Sequence, residues 1–180
     1  MSRMAIRYDE MDSPIGVLTL GWNAEPQGGL CQIEFGAFAD AEPKLRAWSD
    51  KWFGTGDWVR DPGALSEAAG QLRAYFAGTR RTFDLPLDLR GTPFQIQVWK
   101  ALTDIPFGEV WSYKDVAVRI DSPKAVRAVG GANNRNPIPV IVPCHRVIGA
   151  SGAMVGYGGG LHIKTFLLQH EGFSGKGALA

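Results

Sequence analysis

The side chains best suited to nucleophilic chemistry are Cys144 and His145, which are adjacent, and Glu171 near the end of the chain. A thiol attacks carbon as a thiolate, so Cys144 needs a base to take its proton. The apolar run before Cys144 should raise the pKa of the thiol by desolvation, which makes that base more necessary. The three side chains could form a relay in which the carboxylate supports the histidine.

The geometry of this relay depends on the segment 138–143, Ile-Pro-Val-Ile-Val-Pro, whose prolines exclude a helix interior and favour an extended chain. Neighbouring side chains point apart in an extended segment, so we expect a water molecule between Cys144 and His145. Glu171 is predicted at the carboxyl end of a last helix over 161–171. The helix dipole disfavours a carboxylate there, and a partner such as His145 would explain its placement. Taken alone, a Cys-His dipeptide is more often structural than catalytic.

Three short helices are predicted before this segment. Thr92-Pro93-Phe94-Gln95 is a capping box with proline at the first helical position. Ser112 should cap a second helix, and Ser122-Pro123 should cap a third that runs from Lys124 to about Asn133. Only about three residues separate these two helices, which suits a helix-turn-helix and a plain helical hairpin equally well.

The third of these helices has unusually small side chains. Two adjacent glycines in a helix interior cost roughly 1 kcal/mol each relative to alanine, so something must approach the backbone closely. A neighbouring helix or a nucleic acid could do so. The small residues are Ala125, Ala128, Gly130, Gly131 and Ala132.

The first half of the chain has the pattern of an α/β domain. Three short strands separated by turn residues are predicted at Ile6–Asp9, Val17–Trp22 and Leu30–Phe35. A helix follows over about 63–77, with Asp61 as its cap and Gly78 at its end. The predicted fold class is therefore α+β. A small N-terminal α/β domain with a short antiparallel sheet (1–88) precedes a mainly helical C-terminal domain (89–180), which is winged-helix-like if its two short helices form a helix-turn-helix rather than a plain hairpin.

The net charge of +1 conceals an asymmetry between the two halves. Residues 1–88 carry 9 basic and 13 acidic side chains, whereas residues 89–180 carry 10 basic and 5 acidic ones. This imbalance favours contact of the second half with a polyanion. No apolar run approaches the roughly 20 residues of a membrane span, and Met1–Glu10 lacks the apolar region of a secretory signal. We therefore expect a cytoplasmic protein without a membrane partner.

The two cysteines, Cys31 and Cys144, are expected to remain reduced in the cytosol. No Cys-x-x-Cys or His-x-x-x-His pair occurs, so we predict no metal and no cofactor. Cys31 is predicted to be a buried strand residue.

The hexapeptide Val142-Pro143-Cys144-His145-Arg146-Val147 resembles the active-site signature of the O6-alkylguanine-DNA alkyltransferases. The similarity continues in order over residues 92–172, and residues 1–90 match in length and style, including Asp12–Gly16. The other matching segments are Phe94-Gln95, Val98-Trp99, Ile105-Pro106 with Gly108, Ser112-Tyr113, Ala125–Gly130, Asn136-Pro137 and Leu167–Gly172.

The resemblance implies DNA repair by irreversible transfer of an alkyl group, such as methyl, from O6 of guanine to the chain's own cysteine, once per molecule, after base flipping. O4-alkylthymine stays open as a second substrate. The implied partner is double-stranded DNA containing alkylated guanine. The chain would bind it as a monomer, and whether several copies cooperate on DNA stays open.

The resemblance also assigns catalytic roles. Cys144 would accept the alkyl group, His145 would take its proton through a water molecule, and Glu171 would orient the imidazole. Asn136 would hold the active-site turn by hydrogen bonds. Tyr113 would donate to ring nitrogen N3 of the guanine, where electrons accumulate as the base leaves.

The remaining implied roles concern DNA and the base pocket. Arg127 would replace the extruded nucleotide in the base stack. Tyr113 would also contact DNA, and small side chains at Ala125, Ala128 and Gly130 would let their helix enter a minor groove about 6 Å wide. Tyr157, Gly158 and Gly159 would form the lid of the base pocket, and Pro139 would line its alkyl side.

Two positions depart from the family pattern. Val126 lies where members often have alanine, and Gly158 lies where some have serine. Metal ligands that some members carry in the N-terminal half are not apparent. Two other classes of protein are considered: a non-catalytic damage-binding protein, whose relatives have tryptophan in place of Cys144, and a thiol hydrolase that uses the same Cys144, His145 and Glu171.

Overall fold

The computed structural model describes residues 4–149, 157 and 159–173. The chain divides into two compact units between Arg90 and Gly91. Among the described residues, no helix is long and apolar enough to cross a membrane.

The first unit is built on a four-stranded sheet of order β3-β2-β1-β4. The strands are β1 (Ile6–Met11), β2 (Leu18–Asn23), β3 (Gly29–Phe35) and β4 (Trp58–Arg60). The predicted antiparallel pairing is confirmed for β1 with β2 and for β2 with β3. The short strand β4, which the sequence did not predict, adds in parallel beside β1.

Two helices accompany this sheet. Helix α2 (Pro62–Phe76) begins as predicted, because Oδ1 of Asp61 accepts a hydrogen bond from the backbone N–H of Ala64 at 3.3 Å. Helix α1 (Phe38–Phe53) was not predicted, since Pro43 lies inside it and only Phe38, Leu45 and Ser49 are buried. Cys31 is fully buried in β3, as predicted.

The second unit is mainly helical. Its elements are α3 (Pro93–Leu102), β5 (Trp111–Ser112), α4 (Tyr113–Arg119), α5 (Val126–Asn134), a 3-10 turn (Cys144–Arg146), β6 (Val147–Ile148) and α6 (Leu161–His170). The predicted capping box of α3 is present, and Ser112 caps α4 with a second box. Helices α3, α4 and α5 pack against one another, and the indole N–H of the buried Trp99 donates to the carbonyl of Ala132 at 2.8 Å.

The joint between α4 and α5 differs from the prediction. Helix α5 begins at Val126 rather than Lys124, and the joint comprises the six residues 120–125 rather than about three. Ala125 is the N-cap of α5 and makes no side-chain cap, so the predicted cap by Ser122 is wrong. Ser122 contributes its backbone carbonyl instead, which accepts from the N–H of Ala125 at 2.9 Å and forms a turn.

Candidate active site

The segment that leads into Cys144 is a compact turn, so the predicted extended conformation of residues 138–143 is wrong. The N–H of Val142 donates to the carbonyl of Ile138 at 2.9 Å, and Val140 has a positive φ of 74°. A β-branched residue rarely adopts this conformation, so the surrounding structure must hold it there. Cys144, His145 and Arg146 follow in one 3-10 turn and are all buried.

Asn136 closes this turn through both ends of its side-chain amide. Its Nδ2 donates to the carbonyl of Val142 at 2.7 Å, and its Oδ1 accepts from the N–H of Ile138 at 3.0 Å. Asn133 of α5 adds a longer hydrogen bond, 3.4 Å, to the carbonyl of Cys144. Two side-chain amides thus replace the backbone partners that a regular element would supply.

The thiol of Cys144 is buried, with polar and charged side chains near it. Burial raises the pKa of Cys144 from 9.0 to about 11, against the effects of Asn136, Lys164 and Tyr157, which lower it. The predicted desolvation of this thiol is therefore confirmed. A thiol of such a high pKa holds its proton at neutral pH and needs a base to become a nucleophile.

His145 and Glu171 form the buried pair that the sequence suggested. Nε2 of His145 lies 2.8 Å from Oε2 of Glu171, and neither side chain is exposed to solvent. Burial alone would raise the pKa of Glu171, but His145 and Arg146 outweigh it and hold the pKa well below its usual 4.5. Burial lowers the pKa of His145 below 6.5, although Glu171 opposes this change.

These charge states determine which nitrogen of His145 carries hydrogen. An ionised Glu171 can only accept hydrogen bonds, so Nε2 must donate to it, and the neutral imidazole then has its lone pair on Nδ1. Nδ1 is buried and has no hydrogen-bond partner among the residues that the structure describes. The imidazole can therefore accept a proton at Nδ1.

Two buried cations, which were not predicted from the sequence, lie beside this pair. Nε and Nη2 of Arg146 donate to the two carboxylate oxygens of Glu171 at 2.8 and 3.0 Å. Lys164 of α6 is fully buried and donates to the carbonyl of Val147 at 2.6 Å. Burial lowers the pKa of Lys164 to about 8, against the effect of Cys144. Its helical spacing from Leu167 and Leu168 placed it on the apolar face of α6, a signal that could have revealed it.

Tyr113 and α5 flank this site. Burial, and then the charge of Cys144, raise the pKa of the Tyr113 phenol. A Cβ atom added at Gly130 would lie 4.0 Å from the Tyr113 ring, an ordinary contact distance. Arg127 and Ala128 are exposed on α5, whereas Ala125 is half-buried at its N-cap.

The remaining predicted residues lie as follows. Pro139 is buried in the turn, and Tyr157 and Gly159 are half-buried. Asn136 and Tyr157 both lower the pKa of the Cys144 thiol through side-chain hydrogen bonds. Gly158 lies outside the described residues. Among the residues with described positions, no group of three or more His, Cys, Asp or Glu side chains could hold a metal ion.

The fold and the site define a class of protein in which a helical unit buries a cysteine, a histidine and a glutamate beside an exposed small-sided helix. Two family models match almost the whole chain. The ribonuclease-like domain of 6-O-methylguanine DNA methyltransferase matches residues 6–89, and the DNA-binding domain of the same protein matches residues 93–173. The chain belongs to the 6-O-methylguanine DNA methyltransferase family.

Individual relatives agree with this assignment. The methylated-DNA–protein-cysteine methyltransferase of Mycobacterium tuberculosis strain H37Rv is 50% identical over 166 residues, which cover 92% of each chain. The Methanosarcina barkeri protein of the same name is 46% identical over 164 residues, or 91% of this chain and 96% of the relative. A crystal structure of Mycobacterium tuberculosis OGT in complex with DNA superimposes with a TM-score of 0.76 at 48% identity, covering 92% of each chain.

Proposed function

We propose that this chain repairs DNA by transferring the alkyl group of O6-alkylguanine to Cys144. The observation that carries the proposal is the buried thiol of Cys144 next to the buried His145–Glu171 pair. Nε2 of His145 lies 2.8 Å from Oε2 of Glu171. The sulfur–carbon bond forms as the carbon–O6 bond breaks, and the electron pair of the broken bond stays on the guanine. The thiol proton passes through a water molecule to Nδ1 of His145, and the guanine recovers a proton from solvent.

Three neighbours support this displacement. Glu171 stabilises the imidazolium that forms when His145 takes the proton. Tyr113, whose phenol stays protonated because its pKa is raised, donates a hydrogen bond to N3 of the leaving base. Asn136 holds the turn that presents the sulfur, since both of its amide atoms bond to that turn.

Helix α5 is proposed to enter the minor groove and support base flipping. A Cβ atom at Gly131 would meet no described atom within 4 Å, so packing within the described part of the chain does not require glycine there. A close approach of DNA to the helix backbone would explain the glycine, and Ala125, Ala128 and Gly130 would extend the same small-sided surface. Arg127, exposed on this helix, would fill the gap that the flipped nucleotide leaves. The flipped base would lie against Tyr157, Gly158, Gly159 and Pro139.

The transfer is proposed to be irreversible and to occur once per molecule, because a thioether has no easy leaving route. Cys144→Ala should therefore bind duplex DNA containing O6-methylguanine and remove no methyl group. Cys31→Ala, which deletes the other buried thiol, should retain transfer. Radiolabelled methyl transfer to each variant measures this, and methyl transfer to Cys144→Ala would contradict the assignment.

Asn136→Ala should slow alkyl transfer from duplex DNA and from free O6-methylguanine base by the same factor. The substitution removes two hydrogen bonds of the Cys144 turn and costs about 1–3 kcal/mol of stability for the buried groups left unpaired. Exposed Asn134 at the end of α5 offers a matched control, Asn134→Ala. Single-turnover rates on both substrates measure the effect. A loss on duplex DNA alone would show that Asn136 acts on DNA and not on the turn.

We further propose that the chain binds DNA as a monomer, with its basic second half on the phosphates. Affinity should fall linearly with salt on a log-log plot and depend little on sequence. Sedimentation of the free protein and of its complexes with duplexes of increasing length gives the number of copies bound. A stable dimer in the absence of DNA, or binding that is independent of salt, would contradict this proposal.

A further inference from the structure

Arg146, which follows His145 in the chain, is buried and makes three hydrogen bonds beside the His145–Glu171 pair. Arg146 is 6% exposed, and its Nη1 donates to the carbonyl of Ile105 at 2.6 Å. Its other two nitrogens, Nε and Nη2, donate to the two carboxylate oxygens of Glu171. Oε2 of Glu171 therefore accepts hydrogen bonds from both Arg146 and His145. Oε1 accepts one from Arg146 and a longer one, 3.5 Å, from the backbone N–H of Gly108.

The charges around His145 are unevenly matched. The anionic Glu171 raises the pKa of the imidazole, whereas the cations Arg146 and Lys164 both lower it. Lys164 also lowers the pKa of the Cys144 thiol. Arg146 has its partner in Glu171, and this pair is formally neutral. A proton on His145 would add another positive charge beside a carboxylate that Arg146 already neutralises.

We propose that Arg146 is a positioning residue of the transfer reaction: it shares the Glu171 carboxylate with His145 and so keeps the resting site in its uncharged thiol–imidazole form. This inference rests on the proposed function of Cys144 and adds a residue that controls when the thiolate forms. The same number of protons can be arranged as thiol with imidazole or as thiolate with imidazolium. Arg146 disfavours the second arrangement because it already neutralises the anion that would stabilise the imidazolium.

Removal of the guanidinium should reverse this preference. A buried carboxylate needs a counter-charge, and in Arg146→Met the imidazole still lies in contact with Glu171, with Nε2 at 2.8 Å from Oε2. His145 should then hold a proton to higher pH, and Cys144 should ionise at lower pH. Arg146→Lys keeps a positive charge without the planar fork and should stay close to the unsubstituted protein in both respects. Arg119→Met, which removes an exposed arginine paired with Asp104, is the matched control.

The test uses the full chain without DNA, so its outcome does not depend on alkyl transfer. The titration of His145 is followed by ring nitrogen NMR, and the reaction of Cys144 with iodoacetamide is measured from pH 6 to pH 10. We expect Arg146→Met to move the His145 inflection to higher pH and the Cys144 inflection to lower pH, each by at least about one pH unit. Labelling of Cys144 at pH 7 should become about tenfold faster. The hydrogen-bonded indole N–H of Trp99 reports in the same spectra that the second unit is folded.

Unchanged inflections in folded Arg146→Met would overturn the proposal and leave Arg146 as a structural link between Glu171 and Ile105. The proposal would also fail if Arg146→Lys shifted both inflections as far as Arg146→Met does, because charge would then not be the cause. Failure of the proposed function would look different. The unsubstituted protein would then show the same titrations and yet take no alkyl group from DNA.

Discussion

Glu171→Gln is expected to slow alkyl transfer about 10²- to 10⁴-fold, the range by which a positioned proton acceptor accelerates a reaction. The substitution preserves shape but removes the negative charge that would stabilise a protonated His145. It also leaves the Arg146 guanidinium buried without its counter-ion, which costs about 3–5 kcal/mol of folding free energy when one partner of a buried pair is removed. Single-turnover rates and urea denaturation at pH 7 measure the two effects.

Glu109→Gln is the matched control, because Glu109 is an exposed glutamate of the same unit. It should change neither the rate nor the stability. If Glu171→Gln transferred alkyl groups as fast as this control, the carboxylate would have no part in the reaction and His145 would have to act without it.

The same pair makes stability depend on pH in acid. The pKa of Glu171 is lowered by folding, so its contribution is complete above 4.5 and is lost as the pH falls below that value. The pKa of His145 is also lowered, so the unfolded chain takes up a proton first and stability declines as the pH falls through 6.5. The unsubstituted protein should therefore lose stability progressively below pH 6.5. Glu171→Gln should lose less between pH 4.5 and pH 3.

Arg127→Ala is expected to slow repair in duplex DNA by about 10- to 1000-fold and to leave transfer from free O6-methylguanine base nearly unchanged. Extrusion of a nucleotide costs a few kcal/mol, and each 1.4 kcal/mol is a factor of ten. The free base needs no flip, and Arg127 is exposed on α5 rather than buried beside Cys144. Arg127→Lys should restore attraction to phosphate better than it restores duplex repair, since it lacks the planar group.

Arg135→Ala controls for the loss of one exposed cation, because Arg135 is the C-cap of the same helix. Arg135→Ala should weaken binding to duplex DNA, but bound duplex DNA should be repaired at the rate of the unsubstituted protein. The defect of Arg127→Ala should shrink when the lesion is mismatched or in a single strand, where flipping costs less. Equal losses on duplex, mismatched duplex and free base would mean that Arg127 supports the fold or the pocket, and the flipping role would be dropped.

The starts of helices α2, α3 and α4 and the first three strands were predicted correctly, because each depends on residues that are close together in the sequence. Asp61, Thr92 and Ser112 cap their helices as predicted, because a cap depends on only a few neighbouring residues. The predicted strands β1 to β3 are present because their apolar runs end in turns. Strand β4 and helix α1 were missed since three residues give no pattern and Pro43 is typical of a break.

The contact between His145 and Glu171 was predicted from the sequence, but the geometry of the turn around Cys144 was not. The His145–Glu171 contact followed from an unfavourable carboxylate at a helix end, which a distant partner compensates. The turn over 138–143 could not be predicted, because it depends on Asn136 and on a positive φ at Val140 that sequence patterns do not reveal. Arg146 was missed because its burial depends on a tertiary partner, Glu171. The burial of Lys164 could have been predicted from its position on the apolar face of α6, but its partner, the carbonyl of Val147, could not.

The most direct test of the central claim is to mix the protein with excess duplex DNA containing O6-methylguanine and map the product by mass spectrometry. Methyl transfer should stop at one group per active molecule, and the peptide containing Cys144 should carry that group as S-methylcysteine. The repaired DNA should contain ordinary guanine in equal amount. A methyl group on Cys31, no adduct at all, or continued demethylation well beyond one equivalent would contradict the assignment of Cys144 as the acceptor.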